Sequence, residues 1–150
     1  MTNQDLELAK QKLIENGLSF VVAKNGKIVF KTKKQGLTGF LHAIEKLPQQ
    51  LNEASIADKI VGVAAAMLCV YSKVTSVFAL TVSDVGINLL KDKNIECFFE
   101  KKVKNILNRN KTDVCPFEKI ALQSKTVKEA YLRMKSLANQ TIGKSTKTIC

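Results

Sequence analysis

Apolar side chains recur along this chain in two patterns, one with the period of a helix and one with the continuity of a buried strand. Residues 5–16 have apolar positions at helical spacing, which predicts a first helix. Apolar runs at 18–23 and 27–32 flank Asn25-Gly26, and Asn-Gly is the strongest short signal for a two-residue hairpin. The chain is therefore predicted to begin with a helix and an antiparallel hairpin.

The next third of the sequence is predicted to be helical. Residues 40–51 have helical periodicity, with a break at Pro48. Ser55 is predicted to open a long helix that is apolar on nearly every face, up to about Val70. A helix that is hydrophobic all round is buried in the core. We therefore expect this segment to be the central helix of the domain.

The remaining segments alternate between the two patterns. They predict strands at 76–82 and 96–103 and helices at 84–93, 116–123 and 127–138. Strands separated by helices imply right-handed crossovers and parallel pairing. The predicted fold is therefore an α/β three-layer α/β/α sandwich with a mixed sheet, an antiparallel hairpin plus parallel strands. We expect one domain over residues 1–138 and a polar, flexible tail over 139–150.

Charge and length narrow the function classes. The chain of 150 residues has a formal net charge of +11, with 22 lysines but only two arginines, Arg109 and Arg133. Specific nucleic-acid recognition favours the arginine fork, so a solvated lysine-rich surface is the preferred interpretation, with nucleic-acid binding as the alternative. No apolar run reaches the roughly 20 residues of a membrane span, and the polar start is unlike a secretory signal. We expect a cytoplasmic protein with no membrane partner; a homo-oligomer is compatible with the sequence.

Two charged residues interrupt the predicted central helix at its start. Asp58 and Lys59 follow Ser55 within the first turns. In one interpretation Ser55 and Asp58 cap this helix and complement its dipole. In the other, a helix this buried tolerates charge only where it faces a cavity, so Asp58 and Lys59 contact a ligand or a metal. Both interpretations stay open.

A second group of reactive side chains lies where a polar loop meets a helix start. Cys115 is the predicted N-cap, Pro116 the first helical residue, and Glu118 is placed to reach back to the cap. As plain helix initiation this arrangement is already complete. Functionally, a thiol at a helix N-terminus favours its thiolate, which makes Cys115 a candidate nucleophile with Asp58 or Glu118 as acid or base.

The loop before this helix could bind an anion. Asn108 and Thr112 offer hydrogen bonds, and Arg109 supplies a bidentate fork. The four cysteines lack the paired spacing of zinc or redox motifs, so we expect no disulfide. His42, the single histidine, is interpreted as a surface or core-edge residue. We predict no metal ligands and no cofactor.

With these segments in hand, the chain resembles the uncharacterised domain-of-unknown-function family 1893. The resemblance covers roughly residues 3–138 and rests on 5–8, the box at 54–59 with its following glycine and alanines, and 108–109 followed by 115–119. It implies a cytidine-deaminase-like fold.

Zinc deaminases hold a metal-bound water with one ligand at a helix start and a Cys-x-x-Cys pair at another. The resemblance would put Asp58 at the first position and Cys115 and Glu118 at the pair, which comes one strand later than in a deaminase. Carboxylates at two of the three zinc-ligand positions weaken the case for tetrahedral zinc, so ordinary deaminase activity is not expected.

Three function classes follow. The preferred hypothesis is a binding or sensing module whose degenerate deaminase-like crevice takes a nucleotide-like or anionic small molecule. The alternatives are an enzyme of unknown reaction that uses Cys115 as nucleophile or ligand, and a basic nucleic-acid interaction protein. The preferred hypothesis requires Asp58 and Cys115 to share one cavity.

Overall fold

The computed structural model describes residues 3–142. Seven helices and five strands follow one another in this part of the chain, with these bounds: α1 Gln4–Glu15, β1 Phe20–Lys24, β2 Lys27–Thr32, α2 Thr38–Lys46, α3 Pro48–Leu51, β3 Ser55–Val61, α4 Val63–Ser72, β4 Ser76–Ser83, α5 Asp84–Asp92, β5 Glu96–Val103, α6 Pro116–Gln123 and α7 Val127–Ile142. No helix within residues 3–142 is both long enough and apolar enough to cross a membrane.

The five strands form one mixed sheet in the order β2-β1-β3-β4-β5. β1 pairs antiparallel with β2 and with β3, whereas β3, β4 and β5 are mutually parallel. The predicted hairpin is confirmed: Asn25 and Gly26 form its turn, and both have positive φ (53° and 79°). Positive φ at both central residues is what a tight two-residue hairpin turn requires.

One predicted helix is wrong at its beginning. Residues Ser55–Val61 form strand β3 in the middle of the sheet, and helix α4 begins only at Val63, after Gly62. β3 lies between β1 and β4 and is buried on both faces, Ile56 in one core cluster and Ala57 in the other. A strand covered on both sides has the continuous apolar run of a buried helix, so periodicity cannot separate the two.

The sheet separates two hydrophobic clusters and so creates three layers. Helix α1 packs on β1, β3 and β4 and covers the smaller cluster, which contains Leu6, Leu13 and Phe78. The larger cluster lies on the opposite face, with α4 at its centre against α5, α6 and α7. The predicted three-layer α/β architecture with a mixed sheet is therefore confirmed.

The C-terminal helix is longer than predicted. α7 continues to Ile142, four residues past the predicted end of the domain at residue 138. The rest of the predicted tail, residues 143–150, lies outside the described residues. The predicted domain boundary at 138 stays a prediction.

We expect that shortening one buried side chain of helix α4 will destabilise the whole domain. Leu68 of α4 is fully buried in the larger cluster. Leu68→Ala leaves a cavity and should lower the free energy of unfolding by about 2–5 kcal/mol, measured by urea denaturation. Leu132→Ala on α7 is the matched control, because that side chain is 51% exposed. Equal stabilities of the two variants would contradict the assignment of α4 as the centre of the core.

Candidate functional site

A cavity of about 220 Å³ opens beside the carboxyl half of β3. In an open α/β sheet, ligands bind beyond the carboxyl ends of the parallel strands. Five chain segments contribute to the cavity: the residue before β1, the loop before α2, the end of β3, the first turn of α4, and the segment before α6. The lining residues are Ser19, Gln35, Gly36, Leu37, Asp58, Lys59, Ile60, Gly62, Ala65, Ile106 and Cys115.

The structure brings Asp58 and Cys115 to the same cavity, as the preferred hypothesis requires. It also places Lys59 in the wall. Asp58 is on strand β3, so it does not lie at a helix start, where both the capping interpretation and the resemblance to deaminases put it. The capping interpretation of Ser55 is wrong for the same reason, because Ser55 is the first residue of β3 and not the start of a helix. Its hydroxyl lies 2.7 Å from the hydroxyl of Ser76, the first residue of β4.

Asp58 is a buried carboxyl with little to compensate it. Only 7% of the residue is exposed, and its side-chain hydrogen bond within residues 3–142 is a long one, 3.4 Å, from the backbone N–H of Ile60 to Oδ1. Among residues 3–142 no cation lies within ion-pair distance of it. Burial raises the pKa of Asp58 to about 8, and the backbone N–H groups of Ile60 and Lys59 only partly oppose this.

Glu118 has the opposite surroundings. It is 6% exposed, and its carboxyl accepts two short hydrogen bonds, from Val63 N–H to Oε1 (2.9 Å) and from Ala64 N–H to Oε2 (2.7 Å). Glu118 thus caps the N-terminus of α4, and the predicted contact with its own helix start is wrong. Helix α4 needs a cap from elsewhere because its N-cap residue is Gly62, which has no side chain. Burial raises the pKa of Glu118, while the two N–H groups act in the opposite direction.

Gly62 is the residue that makes this contact sterically feasible. A Cβ atom at position 62 would lie 1.8 Å from Glu118 Oε1 and 2.7 Å from Ile106 Cγ1. Both distances are far below van der Waals contact. Glycine is therefore required here by the close approach of α6 and of the segment before it, not by backbone conformation. This contact seats Ile106 and Cys115 against the mouth of the cavity.

Cys115 is the N-cap of α6, as predicted, and is 2% exposed. Its backbone N–H donates to the carbonyl of Ile106 (3.0 Å). The expectation of no disulfide is wrong for this residue, because Cys115 is disulfide-bonded. In that state the sulfur is not a thiolate nucleophile. The expectation rested on the spacing of cysteines in the sequence, which does not by itself decide whether a cysteine forms a disulfide.

The predicted anion-binding residues do not line the cavity. Asn108 and Thr112 bond each other across a turn, Asn108 Nδ2 to Thr112 Oγ1 (3.0 Å) and Thr112 N–H to Asn108 Oδ1 (2.9 Å). Arg109 is exposed on the same turn. Asp113 accepts from Lys119, which ties the turn to α6 and lowers the pKa of Asp113. Within this loop the observed contacts are structural ones.

The other predictions about single residues have mixed outcomes. His42 is exposed on α2 and lies outside the cavity, which agrees with its interpretation as a surface residue. Within the described part of the chain, no group of three or more His, Cys, Asp or Glu side chains could hold a metal ion. Sequence reasoning missed Ser19, Gly36 and Ile106, which line the cavity from loops. Small or apolar loop residues carry no signal of their own, so only the folded arrangement identifies them.

We predict that the Glu118 cap is a major stabilising contact. In Glu118→Gln the single amide oxygen can accept from one of the two backbone N–H groups, while the amide NH₂ faces the other N–H group and leaves it without an acceptor. The free energy of unfolding should therefore fall by about 1–3 kcal/mol. Glu100→Gln on exposed β5 is the control.

Gly62→Ala should also lower the free energy of unfolding, and by less in a Glu118→Ala background, because the clashing carboxyl is then absent. Additive effects of the two substitutions in urea denaturation would contradict the contact.

We predict a pH-dependent destabilisation that comes from Asp58. Its pKa is raised from 3.8 to about 8, so the folded state binds this proton more tightly than the unfolded chain. Relative to Asp58→Asn, wild type should lose stability as pH rises from about 4 to about 8, by an amount on the order of a few kcal/mol, and change little above that. Urea unfolding at several pH values measures this, with Asp84→Asn, a half-exposed side chain, as the control. A constant difference between wild type and Asp58→Asn across this window would refute it.

Solved structures resemble this fold. A crystal structure of a DUF1893 family protein from Thermotoga maritima matches with a TM-score of 0.81 and 23% identity, over 91% of this chain and 92% of that chain. At this identity the likeness shows a shared fold alone. Two forms of Acinetobacter baumannii RibD, forms 1 and 2, match with TM-scores of 0.49 and 0.48 and identities of 19% and 18%, over 65% of this chain and 35% of RibD.

A comparison with curated proteins finds no match. A family model, described as "TM1506: Domain of unknown function (DUF1893)", matches residues 8–138. That span contains both cavity-lining segments on which the sequence resemblance rested, those around Asp58 and Cys115. The chain therefore belongs to the DUF1893 family.

Proposed function

We propose that this protein is a binding or sensing module that takes a small, nucleotide-like molecule into the cavity beside β3. The proposal is carried by one observation, the buried carboxyl of Asp58 in a cavity wall with no cation to pair with it among the described residues. A carboxyl this buried is normally ion-paired or well hydrogen-bonded, and one with a single long hydrogen bond is a candidate functional group. A ligand that bonds Asp58 would supply a second partner.

The protonation state of Asp58 favours a particular kind of ligand group. With a pKa of about 8, the carboxyl is mostly protonated at neutral pH and offers one O–H donor beside one acceptor. A group with a neighbouring acceptor and donor, such as an amide or the edge of a nucleobase, matches both. A carboxylate ligand would meet the same carboxyl less favourably, because ionisation of Asp58 would then oppose it.

The size and lining of the cavity favour a compact, largely apolar ligand surface. Its volume of about 220 Å³ is below the roughly 300–1,000 Å³ of pockets that enclose drug-sized ligands. Leu37, Ile60 and Ile106 supply apolar walls. We therefore propose that the cavity encloses a base-sized ring, and that any phosphate of the ligand stays at the mouth.

Lys59 is the cation best placed for an anionic part of the ligand, because it lines the cavity. Arg109 lies on the exposed turn and is proposed to contribute only if the ligand extends past the cavity mouth. The same holds for Asn108 and Thr112, whose side chains already bond each other. The anionic part of the proposal therefore rests on Lys59.

An acid–base enzyme is the second candidate, and one observation favours it. Asp58 has a pKa near neutrality, which is where general acid and base groups work best. In this reading Asp58 is the proton-transfer group, and Glu118 is not, because both of its oxygens already accept backbone hydrogen bonds. Mass analysis of a bound ligand after incubation tests it: a ligand recovered unchanged contradicts an enzyme.

We expect nucleobases, nucleosides or nucleotides to raise the thermal unfolding midpoint of the wild-type protein. The screen should use each class separately, since a base-sized site predicts that the free base or nucleoside already gives the shift. Asp58→Ala should lose the shift, because it removes both the donor and the acceptor. Asp58→Asn should keep most of the shift, because its amide offers a C=O acceptor and an N–H donor in the places of those of the neutral carboxyl.

Two further variants make the screen specific. Asp84→Asn, at a half-exposed aspartate on α5, should keep the full shift. Arg109→Ala should keep the shift from a nucleoside and lose part of the shift from a nucleotide, if the loop contacts phosphate. A wild-type midpoint that no compound moves, or a shift that survives in Asp58→Ala, would count against the proposal.

A further inference from the structure

Strand β5 is an open edge of the sheet. It has eight residues, Glu96–Val103, and pairs only with β4 among the strands described. Its outward N–H and C=O groups therefore have no strand partner within residues 3–142. A long, open edge strand is a template for pairing with another chain.

Two aromatic residues make this edge unusually apolar. Phe98 is 53% exposed and Phe99 is 39% exposed. Phe98 is in register with Phe78, so it lies on the face that α1 covers, while its neighbour Phe99 lies on the opposite face. Helix α1 packs on β1, β3 and β4, and a cavity of about 210 Å³ remains between α1 and Phe98. Apolar surface is thus exposed at β5 on both faces of the sheet.

We propose that β5 pairs antiparallel with β5 of a second copy of this chain, so that two sheets join into one of ten strands. The charged residues along β5 are the reason for choosing a second copy of β5 as the partner strand. A two-fold axis normal to the sheet keeps each face on the same side, so directly opposed residues must belong to the same face. Only registers centred on a residue meet this condition.

The register centred on Phe99 is self-complementary. It places Phe99 against Phe99 on one face and Glu96 against Lys102 on the other, and the second pair occurs twice by symmetry. Opposed unlike charges and aromatic pairs are the contacts that stabilise neighbouring strands. Lys102 is exposed and lies 3.9 Å from Asp84 in its own chain, a weak surface contact that leaves it able to reach across.

Neighbouring registers are disfavoured by like charges. A centre at Phe98 would oppose Glu96 to Glu100, and a centre at Glu100 would oppose two copies of that residue. Like charges directly opposite each other destabilise strand pairing. Among the registers centred on residues 98, 99 and 100, the one centred on Phe99 therefore avoids opposed like charges.

Sedimentation equilibrium of the full-length protein over a range of concentrations tests the pairing. The mass should rise from that of one chain, 16.6 kDa, towards twice that value. A non-reducing gel excludes dimers linked through Cys97, which is a free thiol. Phe99→Lys should abolish the dimer, because it places two like charges across the axis.

A charge swap makes the test specific for the register. Glu96→Lys and Lys102→Glu should each raise the dimer dissociation constant about tenfold, and the double variant should restore it. Asp84→Asn, which removes only the intrachain contact of Lys102, should leave the dimer intact. Circular dichroism confirms folding, and the charge swap remains informative if Phe99→Lys does not fold. A monomer at every concentration, or single charge variants that dimerise like wild type, would overturn the proposal.

Discussion

The structure around the cavity depends on one contact, the carboxyl of Glu118 at the N-terminus of helix α4. Two backbone N–H groups of α4 have no cap from their own chain segment, because the residue before the helix is Gly62. Glu118 reaches them from α6 and satisfies both. Since this contact fixes α6 and Ile106 against the sheet, it forms one wall of the cavity as a by-product of helix capping.

The two buried carboxyls near the cavity, Glu118 and Asp58, are almost equally buried but differ in their hydrogen-bond partners. Glu118 and Asp58 have similar exposure, 6% and 7%, and both have raised pKa values because of burial. Both carboxyl oxygens of Glu118 accept hydrogen bonds from backbone N–H groups, so capping of α4 accounts for its burial. Asp58 receives a long hydrogen bond from Ile60 as its side-chain contact within residues 3–142 and lines a cavity, so the packing of this part of the chain does not account for it. A ligand is the simplest account of why a carboxyl is retained there.

Sequence patterns predicted most of the fold and part of the site. Amphipathic helices such as α1, and the Asn25-Gly26 hairpin, have signals within a few residues, and these predictions are confirmed. β3 was missed because a strand buried on both faces has the apolar continuity of a buried helix. The partner of Glu118 was also missed, since it lies 54 and 55 residues away along the chain and local capping rules see only neighbours. The common cavity of Asp58 and Cys115 was anticipated from two motifs, while its loop-borne walls had no sequence signal.

The ionisation of Asp58 is the most direct measure of whether this carboxyl faces the cavity without a compensating partner. NMR titration of its side-chain carboxyl carbon, in protein labelled at aspartate and assigned with Asp58→Asn, reports its pKa in the folded state. The account predicts a pKa of about 8 in the ligand-free protein. A value close to the ordinary 3.8 would mean that Asp58 is solvated or paired, and would contradict the account.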